Sequence, residues 1–189
     1  MKRTLPALLL VFLTLFCFSC KKKTPESDSQ GAGCSRFVPG DVLVGFKNTV
    51  TMEEIFDYTN NLHLPIAQMS GFVFTSPWPA DSIPTMTAFL NTQPYIKSNG
   101  FSASVWMSFN TNILTVSNPY WNMGAPSQQA WLKTKRTLGL TQILGGSNLV
   151  DLMVKVPVGE ERRWVEDLKT SPLVSWAELN CYFNLNFYP

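Results

Sequence analysis

The fold is decided by a ten-residue stretch that occurs twice: Ile55-Phe56-Asp57-Tyr58-Thr59-Asn60-Asn61-Leu62-His63-Leu64 aligns without gaps on Trp131-Leu132-Lys133-Thr134-Lys135-Arg136-Thr137-Leu138-Gly139-Leu140. Apolar residues coincide at both ends of the two stretches and recur at helical spacing. A second pair follows, in which Leu90-Asn91-Thr92-Gln93-Pro94-Tyr95-Ile96 matches Leu168-Lys169-Thr170-Ser171-Pro172-Leu173-Val174. The two offsets, 131 − 55 = 76 and 168 − 90 = 78, are nearly equal. The pattern therefore indicates one internal duplication.

Each copy predicts the same order of elements: strand, helix, strand, strand, helix, strand. In the first copy the β-rich segment 41–46 precedes a helix that runs from Thr51 to about Leu62, and Thr51 and Glu54 have the spacing of a capping box. The remaining expected elements are strands at 66–68 and 72–75 around a turn at 69–71, a helix capped by Asp81 and ended by Pro94, a hairpin strand within 101–112, a strand at 113–116, helices at 127–138 and 160–169, and strands at 149–156 and 174–183.

This order of elements is the split β-α-β, or ferredoxin-like, arrangement, in which a four-stranded antiparallel sheet carries both helices on one face. The sequence therefore predicts an α+β fold with two ferredoxin-like units, one at 36–100 and the other at 101–189. Fold alone does not give a function, so the function has to be sought in particular residues.

The N-terminus predicts an envelope location. A basic start and an apolar run from Leu5 to Phe18 lead to Ser19-Cys20, and the run is shorter than the roughly 20 residues of a membrane-spanning helix. Residues 1–19 are therefore predicted to be a signal peptide. The small residue before Cys20 resembles a bacterial lipoprotein signal, which implies that Cys20 carries acyl chains such as palmitate and is anchored to a membrane, expected to be the outer membrane. Plain cleavage at the same bond, with secretion, stays open.

Composition divides the mature chain into a tether and a folded part. Residues 20–35 lack apolar content and are predicted to be a flexible tether. The chain has 15 basic and 13 acidic residues, and removal of Lys2 and Arg3 with the signal leaves the charges balanced. A chain near zero net charge has no electrostatic footprint for nucleic acid, so a nucleic-acid partner is not expected.

Two cysteines remain in the folded part, Cys34 just before the first strand and Cys181 in the last. An oxidising envelope permits a disulfide between them, which would join the two ends of the domain. The alternative, in which both thiols stay free, is left open by the sequence.

Two stretches resemble a known family. Val154-Lys155-Val156-Pro157 through Val174-Ser175-Trp176-Ala177-Glu178-Leu179-Asn180, together with Pro39-Gly40-Asp41-Val42-Leu43-Val44-Gly45-Phe46-Lys47, resemble the subtilisin-type propeptides, the inhibitor-like prodomains of secreted serine proteases. The resemblance implies a ferredoxin-like fold whose sheet docks on the protease while an extended C-terminal tail lies along the active-site cleft. It also implies inhibition in trans, since no protease domain follows in this sequence. The implied partner-binding tail contains Tyr182, Phe183, Leu185, Phe187 and Tyr188. The alternative is that these residues only complete the last strand.

Catalytic motifs are not apparent. The single histidine, His63, lies at a predicted helix end without a nearby cysteine or paired carboxylate, and no Gly-x-Ser-x-Gly elbow occurs. The carboxylates lie at helix starts or on exposed helical faces, where they favour the helix dipole. The sequence therefore predicts a chain that is not an enzyme and holds no metal and no cofactor.

The aromatic residues allow two interpretations. They form either an exposed platform for sugars or peptides or a core shared by two sheets, and the core is the ordinary interpretation. Trp78, between two prolines, is the best candidate for exposure. The residues concerned are Phe72, Phe74, Trp78, Trp106, Tyr120, Trp121 and Tyr188.

Three functions follow in order of preference. The first is an envelope lipoprotein that binds a protein or peptide, specifically a prodomain-like inhibitor or chaperone of a secreted subtilisin-type protease. The second is a structural or scaffolding envelope lipoprotein, which would need an exposed apolar patch. The third is a hydrolase with an unrecognised carboxylate site, which would need a cleft with perturbed carboxylates.

Overall fold

The computed structural model describes residues 34, 36–96, 102–108, 113–145 and 149–182. These residues form helices and the strands of two antiparallel sheets, which confirms the predicted α+β class. The elements are β1 (Phe37–Phe46), α1 (Met52–Asn61), β2 (Ile66–Ser70), β3 (Val73–Ser76), α2 (Ile83–Asn91), β4 (Ser104–Met107), β5 (Leu114–Ser117), β6 (Tyr120–Trp121), α3 (Ala125–Thr137), β7 (Thr141–Gln142), β8 (Val150–Lys155), α4 (Glu161–Lys169) and β9 (Val174–Cys181).

The first sheet has five strands in the order β6-β2-β8-β1-β9. All of its strand pairs are antiparallel. Four of these strands, with α1 after β1 and α4 before β9, form one split β-α-β arrangement: β1-α1-β2 supplies one half and β8-α4-β9 supplies the other. The fifth strand, β6, extends this sheet beside β2.

The second sheet has four strands in the order β4-β5-β3-β7, and its pairs are also antiparallel. Its strands come from the part of the chain between β2 and β8, which runs β3-α2-β4-β5-β6-α3-β7; of these strands only β6 pairs with the first sheet. When β3, β4, β5 and β7 are numbered 1 to 4 in chain order, their order across the sheet is 4-1-3-2. When β1, β2, β8 and β9 of the first sheet are numbered in the same way, they have the same order. Two sheets of ferredoxin-like order are therefore present, and the second is inserted between β2 and β8 of the first.

This nesting corrects the predicted boundaries 36–100 and 101–189. The first sheet draws β1 and β2 from one predicted unit and β6, β8 and β9 from the other, while the second sheet also draws on both. The prediction paired β2 with β3 through a hairpin turn at 69–71. Instead β2 pairs with β8 and β3 pairs with β7, so the expected partners are exchanged.

The exchange takes place where the chain leaves and re-enters the first sheet. Gly71 has φ +86°, and a Cβ at this position would lie 1.8 Å from the carbonyl oxygen of Leu149. The outgoing and returning backbones therefore pass in direct contact at the junction of the two sheets. The predicted tight turn at 69–71 is wrong because residues up to Ser70 stay in β2 and the chain then crosses to the other sheet.

The helices pack on one face of each sheet around a single apolar core. Trp131 of α3 lies at its centre, with ring centroids 5.2 Å from Phe74 and 4.8 Å from Tyr120. Val165 and Leu168 of α4 are buried in the same core. Each such side chain contributes about 1.5–3 kcal/mol when fully buried, so the shared core joins the two sheets.

Local signals at the helix ends are confirmed in part. Thr51 accepts a hydrogen bond from the Glu54 N–H while the Glu54 carboxylate accepts one from the Thr51 N–H, which is the predicted capping box. Asp81 does not cap α2: it lies in a 3-10 turn, and the N-cap residue is Ser82 without a side-chain cap bond. Pro84 lies in the first turn of α2, as expected.

Candidate protein-docking face

Alternation along the strands gives the five-stranded sheet two different sides. In β8, Leu152 and Val154 are buried toward the core whereas Asp151 and Met153 are half-buried and lie on the opposite side. No helix or strand of the described ranges covers this second side, which we call the outer face. Its residues are Asp41, Leu43, Gln68, Ser70, Trp121, Asp151, Met153, Lys155, Trp176, Glu178 and Asn180.

Strand register arranges the outer face in rows. One row runs through Gln68, Met153, Leu43 and Glu178, each paired with the next across neighbouring strands. The adjacent row runs through Ser70, Asp151, Gly45 and Trp176. Six of the eight residues in these rows line a groove of about 360 Å³, all except Glu178 and Gly45. The outer face thus presents a groove whose lining includes the apolar side chains of Leu43, Met153 and Trp176.

Trp176 lies across β1 at Gly45. A Cβ at Gly45 would lie 2.0 Å from the Trp176 Nε1, so only glycine leaves room for the indole ring in this place. The ring therefore fills the gap in its row between β9 and β8 and borders the groove beside Asp151.

Asp151 is the least satisfied charged group of the outer face. Its Oδ1 is buried without a hydrogen-bond partner among the described residues, and burial raises the pKa of this carboxyl group. Its row neighbours on β2 and β1 are Ser70 and Gly45, neither of which carries a charge. The carboxylate is therefore held in a half-buried position without a compensating cation.

The other charges of the outer face are partly paired. Lys155 Nζ lies 2.5 Å from Asp41 Oδ1, and Asn180 Nδ2 donates to Asp41 Oδ2 at 3.2 Å. Glu178 is exposed. With three carboxylates and one ammonium group, the outer face carries a net negative charge next to the apolar side chains of its groove.

The C-terminal end of β9 is fixed to the start of β1. Cys181 is bonded to Cys34 with a Cα–Cα distance of 5.9 Å, which confirms the disulfide. The Tyr182 N–H donates to the Arg36 carbonyl at 3.1 Å, and the Arg36 guanidinium lies 5.9 Å from the Tyr182 ring centroid. Because β9 is an end strand of the sheet, the chain leaves the sheet at a defined point on its edge.

The residues predicted for the tail and the anchor are described only in part. Tyr182 is 54% exposed, in keeping with a side chain available to a partner. The other predicted residues lie outside the described ranges: Cys20, Phe183, Leu185, Phe187 and Tyr188.

The residues considered for catalysis have mainly structural contacts. His63 is exposed just beyond α1 with φ 54°. Glu53 forms an ion pair with Lys135. Hydrogen bonds from Thr51 lower the pKa of Glu54. No group of three or more His, Cys, Asp or Glu in the described part of the chain could hold a metal ion.

Among the described residues, Glu161 is the one buried carboxylate at a helix start. It accepts a hydrogen bond from the Gly40 N–H at 2.7 Å and another from the Gly159 N–H at 2.9 Å. The Gly40 hydrogen bond is the first cause that lowers the pKa of this carboxyl group. The residue thus links the start of α4 to β1.

Most of the suggested aromatic platform belongs to the core. Phe72, Phe74 and Tyr120 are buried, and Trp78 is half-buried against the core rather than exposed. Trp106 is 42% exposed on the second sheet. Trp121 is half-buried on the outer face.

Sequence reasoning missed the side chains that form the groove, namely Leu43, Asp151, Met153 and Trp176. One signal was available, because 150–155 alternates between apolar residues and others in the period of a strand with two different faces. These side chains meet because β9, β1 and β8 pair in a particular register. The alternation within one strand does not give the register between strands that are far apart in sequence.

Comparison with known proteins yields no relative: no family model matches the chain, and neither a curated protein nor a solved structure matches it. Within the ranges that the structure describes, no helix has the length and apolar character required to span a bilayer. Function must therefore be inferred from the residues of the outer face and the chain end beside it.

Proposed function

We propose that this chain is a non-catalytic envelope protein that docks on a protein partner through the outer face and the C-terminal segment. The specific form of the proposal is a prodomain-like inhibitor or chaperone of a secreted subtilisin-type protease. One observation carries it: the two stretches that resemble subtilisin-type propeptides, distant in sequence, lie together because β1 pairs with both β8 and β9. The face that such propeptides dock on their protease corresponds to the side of the sheet without helices.

The composition of the outer face supports docking of a protein. The groove is lined by the apolar side chains of Leu43, Met153 and Trp176 together with polar side chains such as Gln68 and Asn180. Protein interfaces likewise combine apolar and polar side chains, with an apolar centre and a polar rim. Tryptophan is also enriched among the residues that dominate binding energy.

The position of the chain end supports a role for the C-terminal segment. The disulfide and the Tyr182–Arg36 contacts fix where the chain leaves β9. A segment that starts from a fixed point loses less conformational freedom when it binds, so more of its contact energy appears as affinity. The predicted tail residues follow immediately and include three further apolar side chains, Phe183, Leu185 and Phe187.

Inhibition of a panel of subtilisin-type proteases tests the proposal. The purified full chain in mild detergent is compared with a chain that ends at Tyr182, which keeps Cys181 and the disulfide. We expect the full chain to inhibit at least one protease and the shortened chain to be weaker by roughly a hundredfold, the effect of losing two strong contact residues. Thermal unfolding of both proteins checks that the fold is retained.

Two results would contradict parts of the proposal. Equal inhibition by the two chains would remove the tail from the site and leave the outer face alone. No inhibition by the folded, uncleaved full chain would remove the protease partner, and a scaffolding role in the envelope would then be the better account.

The membrane anchor is a separate part of the proposal. Expression in a bacterial host with an alkyne-labelled palmitate is expected to label the wild-type chain and not Cys20→Ser. Cys17→Ser is the matched control and should keep the label. Labelling of Cys20→Ser at the wild-type level would contradict lipidation at Cys20.

A further inference from the structure

We infer that the groove between Asp151 and Trp176 receives an arginine side chain of the docked protein. This inference rests on the proposed docking function and names the chemistry that the outer face recognises. Three observations meet at one place: a half-buried carboxylate, an indole ring held over Gly45, and apolar side chains beside them.

The carboxylate of Asp151 calls for a cation. Its Oδ1 is buried and has no hydrogen-bond partner among the residues that the structure describes, and a buried charged group without a partner is costly. The other charged groups of the outer face do not compensate it, because Lys155 is paired with Asp41 and Glu178 is itself negative. Ser70, Gln68 and Asn180, from the neighbouring strands, are uncharged. A cationic side chain of a docked protein would pair with this carboxylate.

The surroundings favour arginine over lysine. A planar guanidinium group can donate two hydrogen bonds to one carboxylate and stack on an aromatic face. The Trp176 ring borders the groove next to Asp151, so both interactions are offered in one place. Leu43 and Met153 line the same groove and can pack against the methylene stem of the side chain.

The free chain keeps this carboxylate at a cost to its own stability. Burial raises the pKa of Asp151, so its ionised form is disfavoured in the folded state. Asp151→Asn is therefore expected to unfold at higher urea than the wild type near neutral pH, while it binds more weakly. Replacement of a residue with a merely structural role would lower the stability of the protein. Higher stability combined with weaker binding therefore distinguishes a binding role.

A titration followed by NMR tests the inference directly. The full chain in detergent, labelled with ¹⁵N, is titrated with N-acetyl-arginine-methylamide, and N-acetyl-citrulline-methylamide serves as the uncharged probe of the same shape. We expect saturable shifts at the Trp176 indole N–H and at the amides of Asp151 and Met153 for the arginine probe only. Asp151→Asn should weaken this binding roughly tenfold or more, as expected for loss of a charged hydrogen-bond partner.

The matched control is Asp57→Asn, which removes an exposed carboxylate on α1 and should leave the titration unchanged. Shifts that are equal for the two probes, or that persist undiminished in Asp151→Asn, would overturn the inference. The same holds if the arginine probe causes no shift at these three positions.

The same variants separate this inference from the proposed function. If the full chain inhibits a protease and Asp151→Asn inhibits equally well, the arginine site is wrong and the docking function stands. If the arginine probe binds at Asp151 but no protease of the panel is inhibited, the site stands and the partner is a different protein with an exposed arginine.

Discussion

The two sheets share one strand order but differ in what their outer sides offer. The first is built from long strands, with ten residues in β1 and eight in β9, and its outer face carries four charged side chains. The second has strands of at most four residues, and its cross-strand row through Thr141, Thr75, Thr115 and Trp106 contains no charged side chain. The same topology thus supports a charged groove in one sheet and an uncharged row in the other, which shows why fold alone gives no function.

The sheets also differ in how they are closed. The disulfide joins the ends of β1 and β9 in the first sheet, whereas no disulfide among the described residues joins strands of the second sheet. The inserted segment therefore lies inside the loop that the disulfide closes. This arrangement predicts that the two sheets respond differently to the same perturbation.

The largest expected effect is loss of the disulfide. Replacement of Cys34 and Cys181 by serine should lower the free energy of unfolding by about 4–5 kcal/mol, the loop-closure entropy for a sequence separation of this size. Hydrogen exchange should rise most at β9 and at the start of β1. An equal rise in β3 and β5 would contradict the view that the bond chiefly closes the first sheet.

The next largest effect is expected at the junction between the sheets. Gly71→Ala places a Cβ against the Leu149 carbonyl oxygen in a backbone of φ +86°, and should cost about 3 kcal/mol or more. Gly145→Ala is the control, because it has φ +81° with no atom within 4 Å and should cost only about 1 kcal/mol. Urea unfolding measures both. Equal costs would mean that the close passage of the two backbones contributes nothing.

A smaller effect is expected in the groove. Gly45→Ala pushes the Trp176 indole away from β1 and should cost about 1–3 kcal/mol, the range for overpacking. The Trp176 indole resonance should move at the same time. Gly124→Ala, where a Cβ meets no atom within 4 Å, should leave that resonance in place. An unchanged resonance in Gly45→Ala would contradict the position of the ring.

The smallest effects are opposite pH dependences at two carboxylates. Hydrogen bonds lower the pKa of Glu161 below its ordinary 4.5, so its stabilisation is complete above that pH and is lost as the pH falls through the folded-state value. Burial raises the pKa of Asp151 above 3.8, so the free energy of unfolding falls as the pH rises through the folded-state value.

Urea unfolding at several pH values checks these two signs. Glu161→Gln should be less stable than the wild type near pH 7, and Asp151→Asn should be more stable. Both differences should shrink in acid. A destabilised Asp151→Asn near pH 7 would show that this carboxylate has a stabilising partner.

The helices and the longer strands were predictable from the sequence, whereas the two-residue strands β6 and β7 and the pairing of the strands were not. Local signals such as the Thr51–Glu54 capping box and the apolar periodicity gave the helices and their order. Strand pairing depends on contacts between residues far apart in sequence, and adjacent strands pair most often as hairpins. The chain departs from that tendency at Gly71, where it passes from the first sheet to the second. A glycine between two short apolar runs is expected both in a hairpin turn and in such a passage, so the sequence does not distinguish them.

The groove was still harder to predict. Asp151 and Trp176 lie in different strands and meet only because both neighbour Gly45 on β1. In the sequence Asp151 is an ordinary acidic residue of a strand, and its missing hydrogen-bond partner is a property of the folded chain alone. The stretches that resemble subtilisin-type propeptides include Leu43 and Trp176, but the resemblance does not indicate that these side chains meet Asp151.

One measurement tests the central claim most directly: the inhibition constants of the full chain and of two matched double variants against the same protease panel. Leu43→Asp/Met153→Asp changes the outer face of the first sheet, and Val73→Asp/Ile143→Asp makes the same chemical change on the second sheet, where the Ile143 N–H donates to the Val73 carbonyl. We predict that the first variant loses inhibition by roughly a hundredfold and that the second retains it. Equal inhibition by both folded variants, or loss confined to the second, would contradict docking through the outer face.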